Sequence, residues 1–175
     1  MNDRVFRESD IRGIAGKDID GDFAFLLGKA FGAYLKNTNP RAEQVSVGRD
    51  GRLSSETLAA HVIQGIIASG IDVYDIGLCP TPLQYFSIYH LNLDGGVMVT
   101  GSHNPSEYNG FKLSVGRETI FGEKIQRLRT IMQKKEFLES DNKGQIKDYD
   151  IIDAYTRFME RRFSYLSGEQ YKTPV

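Results

Sequence analysis

Between Phe23 and Tyr34 the apolar residues Phe23, Leu26, Leu27, Ala30, Phe31 and Tyr34 recur at three- and four-residue steps, the spacing that lines one face of an α-helix. Asp22 can cap that helix and Asn39-Pro40 closes it, so the pattern predicts a helix ending near Asn37. The period then shortens. Gln44 to Gly48 reads as a strand, GRDGR as a charged turn, and Ser54 to Ser69 as a helix turning Leu58, Val62, Ile63, Ile66 and Ile67 inward before Gly70 stops it. IDVYDIGL is a second strand, CPTP a rigid break, LQYFSIYHLN a third helix and GGVMVT a third strand, of the apolar kind that parallel sheets bury on both faces. Beyond Gly110, FKLSV predicts a further strand and EKIQRLRTIMQKK a helix with Ile125, Leu128 and Ile131 or Met132 on one face. Ser140 to Asp148 is polar with DNKG as a turn, residues 150–166 read as an amphipathic helix, and YKTPV as the lead-in to another strand.

Strands and helices alternating at these lengths predict an α/β fold: three layers, αβα, around a mostly parallel, mixed sheet with right-handed crossovers. Such sheets gather their chemistry in loops at the carboxyl ends of the strands, where GRDGR, GLCPTP and TGSHNP fall. A chain of 175 residues, 40% hydrophobic and 26% charged, can bury one real core and carry an appendage. Its net charge of -1 argues against nucleic acid or an anionic membrane as partner, and leaves room for a small anion held by local cations. Cys79 is the only cysteine, so no intrachain disulfide forms; MNDRVFRESD is too charged for a signal peptide, and no apolar run is long enough to cross a bilayer. A soluble, reducing setting, the cytoplasm, is expected.

The densest polar chemistry sits in GVMVTGSHNPSEYNGFK, residues 96–112. Ser102 is a candidate nucleophile between Gly101, which lets the backbone turn, and His103, which can exchange a proton; the same residue types equally suit a plain turn. A serine hydrolase lacks its G-x-S-x-G elbow here, and Pro105 stands where an S-x-x-K lysine would be. Lys112 alternates with Phe111 and Leu113 and suits a solvated strand position as well as a site. Arg49 and Arg52 flank Asp50 and either brace the turn by pairing with it or reach a ligand. Arg7, His61 and His90 read as structural or surface residues, and Cys79 as a small packing residue.

Four stretches in order, FRESDIRG, GRDGR, GLCPTP and TGSHNP with YNGFK, closely resemble motifs of the alpha-D-phosphohexomutases, and the last looks most like the phosphomannomutase/phosphoglucomutase branch. The resemblance covers about the first 112 residues. It implies that residues 1–148 form the N-terminal phosphoserine domain and that 149–175 are a helix and linker leading to a second domain absent from this chain. It implies that Ser102 is the phosphoryl carrier, exchanging its group with a hexose phosphate through a bisphosphorylated sugar, with hexose 1,6-bisphosphate as activator. Lys112 and Arg12 match cations beside that serine, and His103 a helper in proton movement or loop holding. Substrate contacts fall on Ser9, Arg12, Arg49 and Lys112. Ser9 replaces the tyrosine usual in FRxYDIRG, which puts any contact through that ring in doubt. The glucosamine phosphate branch usually carries alanine at the position of Gly101, which favours mannose or glucose phosphate without choosing between them.

The resemblance also implies Mg²⁺, bound by an oxygen of phosphorylated Ser102 and three aspartates of a D-G-D-x-D-R loop that this chain lacks. DIDGDF, 18–23, imitates such a loop, but it reads as a turn with Asp22 capping a helix. The chain alone is therefore expected to be inactive, to need the remaining domains of the same protein, and to self-associate weakly through the uncovered face. A non-catalytic phosphate-binding or interaction module is the alternative.

Overall fold

The two periodicities resolve into seven strands and five α-helices in the computed structural model, which describes residues 2–167. They are β1 (Ile11–Ile14), α1 (Gly21–Thr38), β2 (Gln44–Arg49), α2 (Ser55–Ile67), β3 (Asp72–Leu78), α3 (Thr81–His90), β4 (Gly95–Val99), β5 (Tyr108–Val115), β6 (Glu118–Thr119), α4 (Glu123–Lys134), β7 (Ile146–Asp148) and α5 (Ile151–Arg162). YKTPV lies outside the described residues. The sheet runs β1-β5-β4-β2-β3-β7, with β6 also on β5. β2 is parallel to β3 and β4, and β3 to β7. The β1–β5, β4–β5 and β5–β6 pairs are antiparallel, so the sheet is mixed.

Alternation along β2 shows how the layers arise. Val45 and Val47 enter the core beneath α1, α2 and α4, while Ser46 points the other way and meets Gln84 and Ser87 of α3. On β4, Val97 and Val99 face the first core, and Gly96 lies under α3, where a Cβ would stand 2.2 Å from Gln84 Nε2. α3 and α5 share that second face through Ile76, Cys79, Leu83 and Ile151, and Phe86 meets Tyr155 edge-on at 5.1 Å. On the first face α1 and α2 cross at backbone contact: a Cβ on Gly65 would lie 2.1 Å from Phe25 O, and one on Gly28 2.2 Å from Val62 O.

Several boundaries differ from the sequence pattern. Asp20, not Asp22, caps α1: its carboxylate accepts from Phe23 N at 2.8 Å, because a cap side chain reaches an N–H about three residues on. CPTP is less a break than a start, since Thr81 and Pro82 form the first turn of α3, where proline's missing N–H costs nothing. β1, β6 and β7 were not signalled by the pattern; each has at most four residues, too few to display alternation. The last helix ends at Arg162 and continues as a 3₁₀ turn, Ser164–Ser167. No helix among the described residues is long and apolar enough to cross a membrane.

Candidate active site

Parallel pairing of β2 with β4 sets Arg49 opposite Val99, so the two strands release their loops side by side. Asp50 N donates to Val99 O at 3.0 Å, and Thr100 Oγ1 donates to Asp50 Oδ2 at 2.7 Å. The same Oδ2 accepts from Gly101 N and Arg52 Nε, each at 3.2 Å. Oδ1 accepts from Arg52 N at 3.1 Å and from Ser55 Oγ. Burial alone would raise the Asp50 pKa, but these bonds, led by those from the Ser55 and Thr100 hydroxyls, outweigh it and hold the carboxyl below its ordinary value. Asn109 ties the next strand to the same point, donating to Ser54 Oγ at 2.8 Å and Ser55 Oγ at 2.9 Å.

Arg52 lies under the loop that joins β4 to β5. Beyond its bond to Asp50, Nη2 donates to Ser102 O at 3.0 Å and Asn104 O at 2.7 Å, and Nη1 to Pro105 O at 2.7 Å and Tyr108 O at 2.9 Å. Gly101 makes room for it: a Cβ there would stand 2.5 Å from Arg52 Cζ. Close approach, rather than the expected sharp turn, is what this glycine permits, because the left-handed backbone belongs to its neighbour. Ser102 has φ 55, its N–H donates to Thr100 Oγ1 at 2.8 Å, and its side chain is exposed. No hydrogen bond among the described residues engages its hydroxyl.

Arg12 and Lys112 come together, but on a third residue. Asp10 is 5% exposed; its Oδ2 takes a close ion pair from Arg12 Nη2 and lies 3.9 Å from Lys112 Nζ. Register explains the meeting, with Arg12 opposite Gly110 on β5 and Lys112 two residues further along. An open cleft of about 770 Å³ includes Arg52, Ser54, Ser102, Asn104 and Glu107 in its lining, and neither Arg12 nor Lys112. Arg49 turns from Asp50 to Asp75, with Nη1 3.8 Å from Oδ1, so of the two arginines it is Arg52 that pairs with Asp50 and braces the turn. His103 is exposed on the loop, and Ser9 is exposed before β1.

Asp10, Thr100 and Asn109 were not singled out in the sequence. All three sit inside the quoted motifs, but each also has a partner far along the chain, Lys112 for Asp10, Asp50 for Thr100 and Ser54 with Ser55 for Asn109, which only the fold brings in. Among the described residues no three His, Cys, Asp or Glu side chains are grouped to hold a metal ion. In DIDGDF, Asp18 accepts from Asn2 Nδ2 at 2.9 Å and Ile14 N at 3.0 Å, and Asp20 caps α1. The described residues therefore do not make a Mg²⁺ site by themselves; phosphorylated Ser102 would offer oxygen ligands.

Residues 3–139 match the family model described as phosphoglucomutase/phosphomannomutase, alpha/beta/alpha domain I. The chain is 42% identical over 151 residues to a phosphoglucomutase of Neisseria gonorrhoeae, covering 86% of this chain and 32% of that protein. It is 42% identical over 156 residues to a phosphomannomutase/phosphoglucomutase of Pseudomonas putida, covering 89% and 33%. A crystal structure of a phosphoglucomutase/phosphomannomutase family protein from Burkholderia thailandensis superposes with a TM-score of 0.83 at 36% identity, covering 90% of this chain and 35% of that one. The chain thus spans about a third of the length of the curated relatives it matches.

Proposed function

The chain belongs to the phosphoglucomutase/phosphomannomutase family, matching its alpha/beta/alpha domain I, and on that premise we propose that it carries the phosphoryl group of a hexose phosphate mutase on Ser102. The observation that supports this is the seryl group itself: exposed, in a left-handed backbone, at the carboxyl edge of the sheet, on a loop fixed from beneath. The Ser102 Oγ–P bond breaks as a sugar hydroxyl oxygen bonds phosphorus, the hydroxyl proton leaves to a base, and the bisphosphorylated sugar returns its other phosphoryl group after turning round. Such transfer depends on position and charge neutralisation more than on covalent chemistry. Lys112 and Arg12 supply cations, which Asp10 holds in reserve beside the strand. His103 assists the proton or holds the loop, and Ser9 and Arg49 contact the sugar phosphate.

When bound, Mg²⁺ would neutralise phosphoryl charge, with its carboxylate ligands coming from outside these residues; hexose 1,6-bisphosphate would serve as activator. The remaining domains would cover Leu53 and Leu78, both exposed beside the site. The cytoplasm suits this reading, because buried Cys79 needs no oxidant. Residues 1–148 are the phosphoserine domain in this account and 149–175 the passage to the next.

In the complete protein, Ser102→Ala should abolish transfer between hexose 1-phosphate and 6-phosphate; retained turnover would point to a non-catalytic loop. This polypeptide alone, given hexose 1-phosphate, the bisphosphate and Mg²⁺, should not turn over.

A further inference from the structure

An arginine beside an expected phosphoryl group is ordinarily taken for an anion binder, yet Arg52 has nothing left to bind with. A guanidinium carries five N–H donors, and here each is engaged, one by Asp50 Oδ2 and four by the carbonyls of Ser102, Asn104, Pro105 and Tyr108. We propose that Arg52 is a positioning residue for phosphoryl transfer, fixing the direction in which the Ser102 oxygen is presented; this rests on the reading of Ser102 as the carrier.

Two consequences of the geometry support the assignment. Left-handed φ is unfavourable for serine, and the bonds flanking it hold it there: Thr100 Oγ1 takes the Ser102 N–H on the φ side, and Arg52 Nη2 takes the Ser102 carbonyl on the ψ side. Both backbone torsions at Ser102, which set the direction of its Cα–Cβ bond, are thereby pinned. The second consequence is electrostatic. Four carbonyl dipoles converge on a guanidinium whose side chain is 16% exposed, while the seryl side chain faces solvent, so those oxygens are turned toward a cation instead of toward an incoming anion. Asp50 remains ionised to balance the guanidinium because hydrogen bonds more than offset its burial. Gly101 completes the arrangement, since any side chain there would displace Arg52.

Lysine at this position keeps the charge beside Asp50 but cannot span four carbonyls. In the complete protein Arg52→Lys should lower kcat about 100-fold, the cost of roughly 1 Å of misplacement, and change KM less than about threefold. A kcat near the parent's, or a loss confined to KM, overturns the proposal. Ser102→Ala run alongside separates the two ideas: if it keeps full activity, the carrier reading is what fails. Should Arg52→Lys not fold, the parent chain decides by NMR. A guanidinium held by five acceptors gives separate Nη1 and Nη2 signals in slow exchange; a single averaged signal overturns the clamp.

Discussion

Asp50→Asn changes one atom at the centre of the site. Oδ2 faces three donors, Arg52 Nε, Thr100 Oγ1 and Gly101 N, whereas Oδ1 faces Arg52 N and Ser55 Oγ. An asparagine must keep its oxygen at the Oδ2 position, because two of those three donors are N–H groups that cannot become acceptors. Its NH₂ then occupies the Oδ1 position, where the Ser55 hydroxyl can accept but the Arg52 N–H is orphaned. Losing that bond costs about 1–3 kcal/mol. Removing the charge weakens the bonds that remain, since charge-assisted hydrogen bonds are roughly twice as strong as neutral ones. Together these amount to about 3 kcal/mol, or about 6–12 °C in Tm for a chain of this size. The assay is thermal unfolding by circular dichroism across pH. Because the folded-state pKa of Asp50 is lowered, its contribution is present in full above the unfolded value of about 3.9 and is lost as pH falls through the folded value. The gap between parent and variant should therefore close in acid. A variant melting within about 1 °C of the parent near neutrality, or a gap that persists through the acid range, would refute the reasoning.

Two further predictions concern the scaffold. Gly65→Ala gains about 1 kcal/mol of helix propensity but drives a Cβ to 2.1 Å from Phe25 O, so α1 and α2 must part; a net loss of about 2 kcal/mol is expected in denaturant unfolding, with Gly28→Ala adding less than its own share because both glycines relieve one crossing. Unchanged stability of Gly65→Ala would contradict the close crossing. Burial pushes the Cys79 thiol up to about 11, so at about pH 8 its thiolate population is some two hundred times below that of an exposed thiol. Ellman's reagent should label the native chain correspondingly slowly, and labelling at the rate of a free thiol would contradict this environment.

The parts legible in the sequence were those with long periods or dense motifs. α1, α2 and α4 each show an apolar face over three or more turns, and the β4 run is apolar enough to announce burial on both sides. β1 and β7 are strands because neighbours pair with them, at Ile11 to Phe111 and at Val73 to Ile146, and such pairing leaves no mark within three or four residues. Ser102 could be picked out from its loop. That Ser102 rather than Gly101 takes the left-handed conformation could not, because it depends on Thr100 and on an arginine fifty positions earlier. The meeting of Arg12 and Lys112 on Asp10 likewise follows from antiparallel register, which turns a distant sequence separation into adjacency.

Surface loops generally absorb insertions and deletions more readily than strands or helices do. The segment between Ser102 and Tyr108 inverts that tolerance, because a rigid planar fork meets its carbonyls at four set positions and an added or missing residue would carry at least one out of reach. Its length is therefore under tighter constraint than its lettering: the four bonds engage backbone carbonyls, which every residue carries, whereas the count of peptide units between the serine and the following strand is set by the reach of the fork.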